Sequence, residues 1–272
     1  MADLKADRPG EGLPDLRRMT EARILLGRFG AGLPTRAVQS FQLDHARARQ
    51  AVWSEVDRAA LRNELGELTV EIAEAHSMAS TREEFVRRPD LGRRLSPDSI
   101  SGLGKLPRGR DVVIVLGDGL SASAVTTNGA AVTRAVLERL DAASMSVSAV
   151  VLAAQARVAL ADPIGELLEA RVAIMLIGER PGLSAADSLG AYLTYGPKSG
   201  TPDSRRNCIS NIRRGGLAID EAADSMTALV ALMLKTGISG VGLQSAASNL
   251  LPEDAKLIGL SPAAIGSTTE PD

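Results

Sequence analysis

Apolar positions change their spacing twice along this chain, and those changes divide it. In the stretch that begins LPTRAVQSFQ at Leu33, Val38, Phe41, His45, Ala48 and Val52 recur at alternating steps of three and four, which places them on one face of a helix. Thr35, with Pro34 before it, is the expected cap of that helix. Asp57 is the expected N-cap of a second helix, whose stripe runs through Leu61, Leu65, Leu68, Ile72 and Ala75. Two amphipathic helices of this kind need a surface to lie against: each other, the rest of the chain or another subunit. Between Arg87 and Arg110 the periodicity stops. That stretch holds seven basic residues, two acidic residues and three prolines, the composition of a solvated linker or of a basic strap on an acidic partner.

After Arg110 the pattern becomes short, continuous apolar runs separated by helical stretches. DVVIVLG (111–117), VSAVVLA (147–153) and VAIMLIG (172–178) read as strands buried on both faces. A helix from Ser121 to Ala143, with a break at Asn128-Gly129, and a crossover over 156–170 join them. AYLTYG (191–196) and NCISNIR (207–213) read as further strands, and 220–237 as a final helix stopped by Gly237. This alternation predicts an α/β fold, with a mainly parallel, Rossmann-like sheet flanked by helices and preceded by an N-terminal helical region. Residues 1–19, polar and rich in Pro and Gly, read as a mobile tail. Residues 20–110 form the helical region with its basic linker, and 111–272 the sheet domain.

Composition narrows the function classes. Of 272 residues 44% are apolar, enough for a core, yet no apolar run approaches the roughly 20 residues of a membrane span. The first residues carry no apolar stretch of a secretory signal, and the single cysteine, Cys208, forms no internal disulfide. A cytoplasmic location is expected. A net charge of −2 gives no general attraction to nucleic acid or an acidic membrane, and 2% aromatics leave little to stack bases on. Neither a nucleic-acid nor a membrane partner is expected.

Ligands of open α/β sheets sit beyond the C-terminal strand ends. Two such ends echo each other here, VLGDGLS (115–121) and LIGERPGLS (176–184), each with an acid between glycines and a serine placed to cap a following helix. Ser184 with Asp187 fits a capping box. The first loop departs from a dinucleotide fingerprint: Ala122 stands at the third glycine position, and Asp118 would set a negative charge against a pyrophosphate. A phosphate-binding G-K-[ST] run and a G-x-S-x-G elbow are both missing from the sequence. His45 and His76 do not share a metal pattern, and His45 is expected to be a hydrogen-bonded core histidine on the helix seam. The residues alone define no self-sufficient active site.

Four stretches together carry a resemblance: 23–53, 112–125, 177–197 and 206–217. FQLDHARARQAV and GERPGLS-x-x-DSLGAYLT are the most specific. They resemble, in order from about residue 20 to Gly240, the small (light) subunit of ethanolamine ammonia-lyase. The resemblance implies a lyase subunit that binds adenosylcobalamin at an interface with a large catalytic subunit, a TIM barrel that holds the substrate. The enzyme converts ethanolamine to acetaldehyde and ammonia by a radical route and is a hetero-oligomer. Carried over residue by residue, the cobalamin contacts fall at Val158, Glu179 and Cys208, in the 111–272 domain; no catalytic or metal-ligating residue is implied. Glu179 would accept hydrogen bonds from amides or hydroxyls, Val158 would offer backbone groups and an apolar surface, and Cys208 a soft contact. Neither His45 nor His76 lies in a D-x-H-x-x-G pattern, so the cofactor's benzimidazole is expected to stay on cobalt (base-on). The family is packaged in bacterial microcompartments in many hosts. The tail here is short and broken by Pro9 and Pro14, unlike a long amphipathic targeting peptide. A non-catalytic adaptor with a nucleotide-like or protein ligand, or a self-contained Rossmann enzyme, are the other classes.

Overall fold

The computed structural model describes residues 22–66 and 68–248 together with Leu16, Met19 and Thr20; the tail expected at 1–19 lies almost wholly outside these. Six strands form one sheet: β1 (Glu71–His76), β2 (Val112–Gly117), β3 (Val147–Ala154), β4 (Val172–Gly178), β5 (Leu189–Tyr195) and β6 (Arg206–Ile212). Their order is β1-β3-β2-β4-β5-β6. The first four are mutually parallel, while β4–β5 and β5–β6 pair antiparallel. The α/β sheet is therefore Rossmann-like on one side and ends in an antiparallel edge on the other.

Around it lie α1 (Thr35–Trp53), α2 (Arg58–Leu65), α3 (Arg82–Arg87), α4 (Pro97–Leu103), a three-residue turn α5 (Ala122–Ala124), α6 (Ala130–Ala142), α7 (Ala161–Leu167), α8 (Ile219–Thr236) and α9 (Gly242–Ser248). The break expected at Asn128-Gly129 is a π-helical stretch, Val125–Gly129, that joins α5 to α6. Strand periodicity of two splits the core. Ile114, Leu116, Val150, Leu152, Ile174 and Leu176 face α2, α6 and α8, whereas Val113, Val115, Val151 and Met175 face α4 and α7.

Three local expectations give way. The second helix stops at Leu65, where Gly66 takes φ 68 and donates its N–H to Arg62 and Asn63 carbonyls. Ile72 and Ala75 instead belong to β1, which pairs with β3 in parallel register from Glu71↔Ala149 to His76↔Ala154. Asp57 does cap α2, accepting from the Ala60 N–H at 3.0 Å. The N-cap of α1 is Pro34, and no side chain caps it. His45 is exposed and stacks on Phe41, its ring centroid 6.2 Å away, because the stripe of α1 faces solvent over most of its length. Among the described residues, ten of the fourteen exposed large hydrophobics lie between Leu16 and Trp53.

Candidate functional site

The two glycine-rich strand ends have different fates. Asp118 is buried, and its carboxylate accepts from the Gln155 and Ala156 N–H groups at 2.9 and 2.8 Å and from Arg82 at 3.3 Å. Burial pushes this carboxyl up, opposed by Arg82 and those backbone N–H groups. Arg82 also donates to the carbonyls of Val52 and Gly119. The first loop is thus a staple that locks the C-terminal ends of β2 and β3. Ser121 caps α5 through the Ala124 N–H at 3.1 Å. Ser184 caps nothing: the chain runs from β4 to β5 without a helix, so the expected capping box with Asp187 does not form.

The antiparallel edge is where chemistry gathers. In β5 the side chains alternate. Leu189, Ala191 and Leu193 enter the core against α8, and Gly190, Tyr192 and Thr194 take the other face. Tyr192 pairs with Cys208 and Thr194 with Arg206 across to β6. On this second face α7 and the 3₁₀ turn Val158–Leu160 stand to one side, leaving a cleft of about 380 Å³ lined by Arg93, Arg157, Val158, Ala159, Tyr192, Asp203, Arg206 and Cys208. It continues past Arg93, Ala159 and Asp203 into a larger open cavity of about 710 Å³.

Val158 and Cys208, expected contacts, therefore share one cleft with Tyr192. Glu179 is not part of its lining but stands beside it. A Cβ built on Gly190 would lie 2.9 Å from Glu179 Oε1, so the carboxylate covers the face that carries Tyr192 two residues on. Ser188 Oγ and the Asn211 N–H donate to Glu179 Oε2 at 2.5 and 3.2 Å, fixing the group. Burial, then Cys208 and Glu179 nearby, push the Tyr192 phenol up to about 12. Burial pushes the Cys208 thiol up, opposed by the neighbouring Tyr192 phenol, with Glu179 adding to the rise. Cys208 is a free cysteine open to solvent.

Arg206 roots the face. Its guanidinium grips Asp162 at 2.6 and 2.7 Å and donates to Thr194 Oγ1 and the Thr201 carbonyl, with 3% and 1% of the Arg206 and Asp162 side chains exposed. Tyr192, Gly190, Arg93 and Arg206 escaped the sequence reading. The signal for two of them is the period-2 alternation in LGAYLTY, which puts a glycine, a phenol and a hydroxyl on one face.

A family model of the ethanolamine ammonia-lyase light chain matches residues 10–244. The chain belongs to the ethanolamine ammonia-lyase light-chain family. It is similar to the ethanolamine ammonia-lyase small subunit of Rhodopseudomonas palustris (strain BisA53), 50% identical over 235 residues, 85% of this chain and 89% of that protein. The small subunit of Bradyrhizobium diazoefficiens is 48% identical over 240 residues, 88% and 92% of the two chains. That of Pseudomonas fluorescens (strain Pf0-1) is 47% identical over 237 residues, 86% of each. No helix among the described residues is long and apolar enough to cross a membrane.

Proposed function

We propose that this chain is the small subunit of an adenosylcobalamin-dependent ethanolamine ammonia-lyase, holding the cofactor against a large, substrate-holding TIM-barrel subunit. The observation that carries the reading is that Val158 and Cys208 line one cleft with Tyr192, with Glu179 standing beside it against Gly190 of the same strand as Tyr192. When bound, adenosylcobalamin supplies a carbon-centred radical by homolysis of its cobalt–carbon bond.

The residues present fit such a group. Val158 and Ala159 give an apolar wall for the corrin. Glu179, pre-oriented by Ser188 and Asn211, accepts from corrin amides or ribose hydroxyls. Tyr192 and Cys208 provide a neutral phenol and thiol at the ring edge. Tyr192 and Cys208 sit on strands, Val158 and Ala159 on a turn packed against them, and Glu179 directly follows β4, held by Ser188 and Asn211, so the surface is largely ordered before ligand arrives. The role of this chain is to bind, orient and cover, while the substrate lies on the other subunit.

The exposed apolar residues of the 22–53 stretch support docking on that subunit in a hetero-oligomer, because clustered exposed apolar surface marks an interaction site. Neither histidine lies in a cobalt-ligating pattern, so the benzimidazole stays on cobalt. Superhyperfine coupling from benzimidazole nitrogen in the electron paramagnetic resonance spectrum of the cob(II)alamin form is expected; histidine coupling would contradict it. The cytoplasm is the expected location, with a bacterial microcompartment within it the alternative.

The test is co-expression with the large subunit in cells supplied with cobalamin. The two chains should co-purify as a pink complex whose colour fades in Glu179→Ala. A well-folded, colourless complex would instead favour an adaptor that binds its partner without the cofactor.

A further inference from the structure

The cleft carries more positive charge than its own carboxylates answer. Two acidic side chains border the joined cavities, Asp90 and Asp203. Asp90 is held by Arg88 at 2.9 and 2.7 Å, and Asp203 by Arg206 Nε at 3.2 Å. Arg206 is itself neutralised by Asp162. Asp118, the carboxylate whose charge acts on Arg157, is consumed by Arg82 and two backbone N–H groups. Arg93 and Arg157 are left. Arg93 is exposed, lines both cavities and has no ion pair among the described residues.

Arg157 is built in rather than free to swing. Its backbone N–H donates to the Gly92 carbonyl at 2.8 Å, and a Cβ on Gly92 would lie 2.8 Å from its Cγ. Its guanidinium stacks on Phe85, centroid distance 4.2 Å, while Arg82 stacks on the same ring at 4.7 Å. One amine donates to the Phe85 carbonyl at 3.2 Å. Its Nε is the one buried side-chain polar atom among the described residues with no hydrogen-bond partner. A buried donor left without a partner calls for an explanation, an unseen water or ion among them. Burial and the like charges of Arg82, Arg93 and Arg180 lower its pKa, the electrostatic signature of a site short of an anion.

We propose that Arg93 and Arg157 form an anion subsite at one end of the cleft, and that it takes the phosphodiester of the cofactor's nucleotide arm. The inference rests on the cobalamin reading of the same cleft. The chemistry that selects the ligand group is simple. The corrin side chains are neutral amides, and the phosphodiester is the cofactor's one fixed anionic group. Glu179 repels an anion, and the arginine end attracts one. The cleft is therefore polarised, and that polarity sets which way the cofactor lies: amides toward Glu179, nucleotide arm toward Arg93.

The experiment is binding, not turnover. The assembled complex of this chain with the large subunit is titrated with adenosylcobalamin and with adenosylcobinamide, which lacks the phosphate, ribose and base, and binding is followed by corrin absorbance and equilibrium dialysis. Arg93→Ala and Arg157→Gln should each weaken adenosylcobalamin about tenfold to a hundredfold and leave adenosylcobinamide unchanged. Inorganic phosphate should compete with adenosylcobalamin beyond the effect of chloride at equal ionic strength, and Arg93→Ala should abolish that excess. Arg157→Gln is read only if its melting point stays near the parent's. Arg93→Ala, at an exposed position, keeps the test alive if it does not. Equal losses for both corrinoids would overturn the subsite. So would phosphate binding that depends on Arg93 while both corrinoids remain unaffected, which would mean a site for free phosphate. Failure of the parent complex to bind either corrinoid sinks the cobalamin reading itself, a result distinct from the other two.

Discussion

Gly190→Ala separates the site from the fold. The new Cβ would stand 2.9, 3.0 and 3.1 Å from Glu179 Oε1, Cγ and Cδ. Ordinary contacts lie near 3.5–4.0 Å, so the side chain must retreat by about 0.5 Å or more. What it meets is the end of a flexible side chain and not backbone, and Gly190 needs no positive φ, so the fold accommodates the methyl cheaply. The cost to stability is the weakening of the Ser188 and Asn211 bonds to a carboxylate that can turn to water, about 1 kcal/mol, or roughly 2–4 °C in melting temperature. The cost to binding is larger. A displaced Glu179 loses a charge-assisted bond to the ligand, about 1.5–3 kcal/mol, which weakens adenosylcobalamin by roughly tenfold to a hundredfold. Thermal melting and corrin absorbance titration of the assembled complex read the two quantities. Unchanged affinity in a variant that melts like the parent would refute the role given to the Glu179 carboxylate.

Gly178→Ala offers the contrast, because its Cβ would lie 2.0 Å from the Ser121 carbonyl oxygen and 2.6 Å from that of Asp118, both backbone. A loss of about 3 kcal/mol or more is expected in chemical denaturation. Arg206→Met leaves Asp162 as a buried, unpaired carboxylate and should cost about 3–5 kcal/mol, partly restored by adding Asp162→Leu; a loss under about 1 kcal/mol would contradict the pair's place under the cleft. Because the folded protein favours the neutral Tyr192 phenol, its contribution to stability is complete below the ordinary value near 10 and is lost as pH rises toward 12. Ultraviolet titration should therefore show one of the two tyrosines ionising near 12 and losing that step in Tyr192→Phe. Cys208, its thiol pushed up, should alkylate at pH 8 more slowly than the same cysteine in unfolded chain, although it is exposed.

What was legible in the sequence follows from the strength of each local signal. β2 and β4 are continuous apolar runs ending in glycine, β3 is a run broken only by Ser148, and burial on both faces gives all three a strong signal. β1 is opaque because EIAEAH at a sheet edge shows only a weak alternation, and its apolar members happen to extend the helical stripe of Leu61 and Leu65. Its strand character comes from pairing with β3, which is tertiary information. His45 was misjudged for the opposite reason. A helical stripe announces that a face will be covered but not by what, and among the described residues most of that of α1 is left exposed. The antiparallel turn of β5 and β6 is likewise invisible to periodicity, yet it brings Cys208 opposite Tyr192 and lets Val158, 50 residues before Cys208 in sequence, line the same cleft. Arg93, among the basic linker's charges, and Arg157, at the head of the 156–170 crossover, could not be singled out, because what distinguishes them is the absence of a carboxylate left to pair with them.

The most direct measurement is acetaldehyde release from ethanolamine with adenosylcobalamin present, using the large subunit alone, this chain alone and the two together. Activity should appear only in the mixture, and Glu179→Ala should lower it at limiting adenosylcobalamin and restore much of it at saturation. A stable, well-folded mixture with no activity, or full activity from the large subunit alone, would contradict the assignment of this chain as the cofactor-holding half of the enzyme.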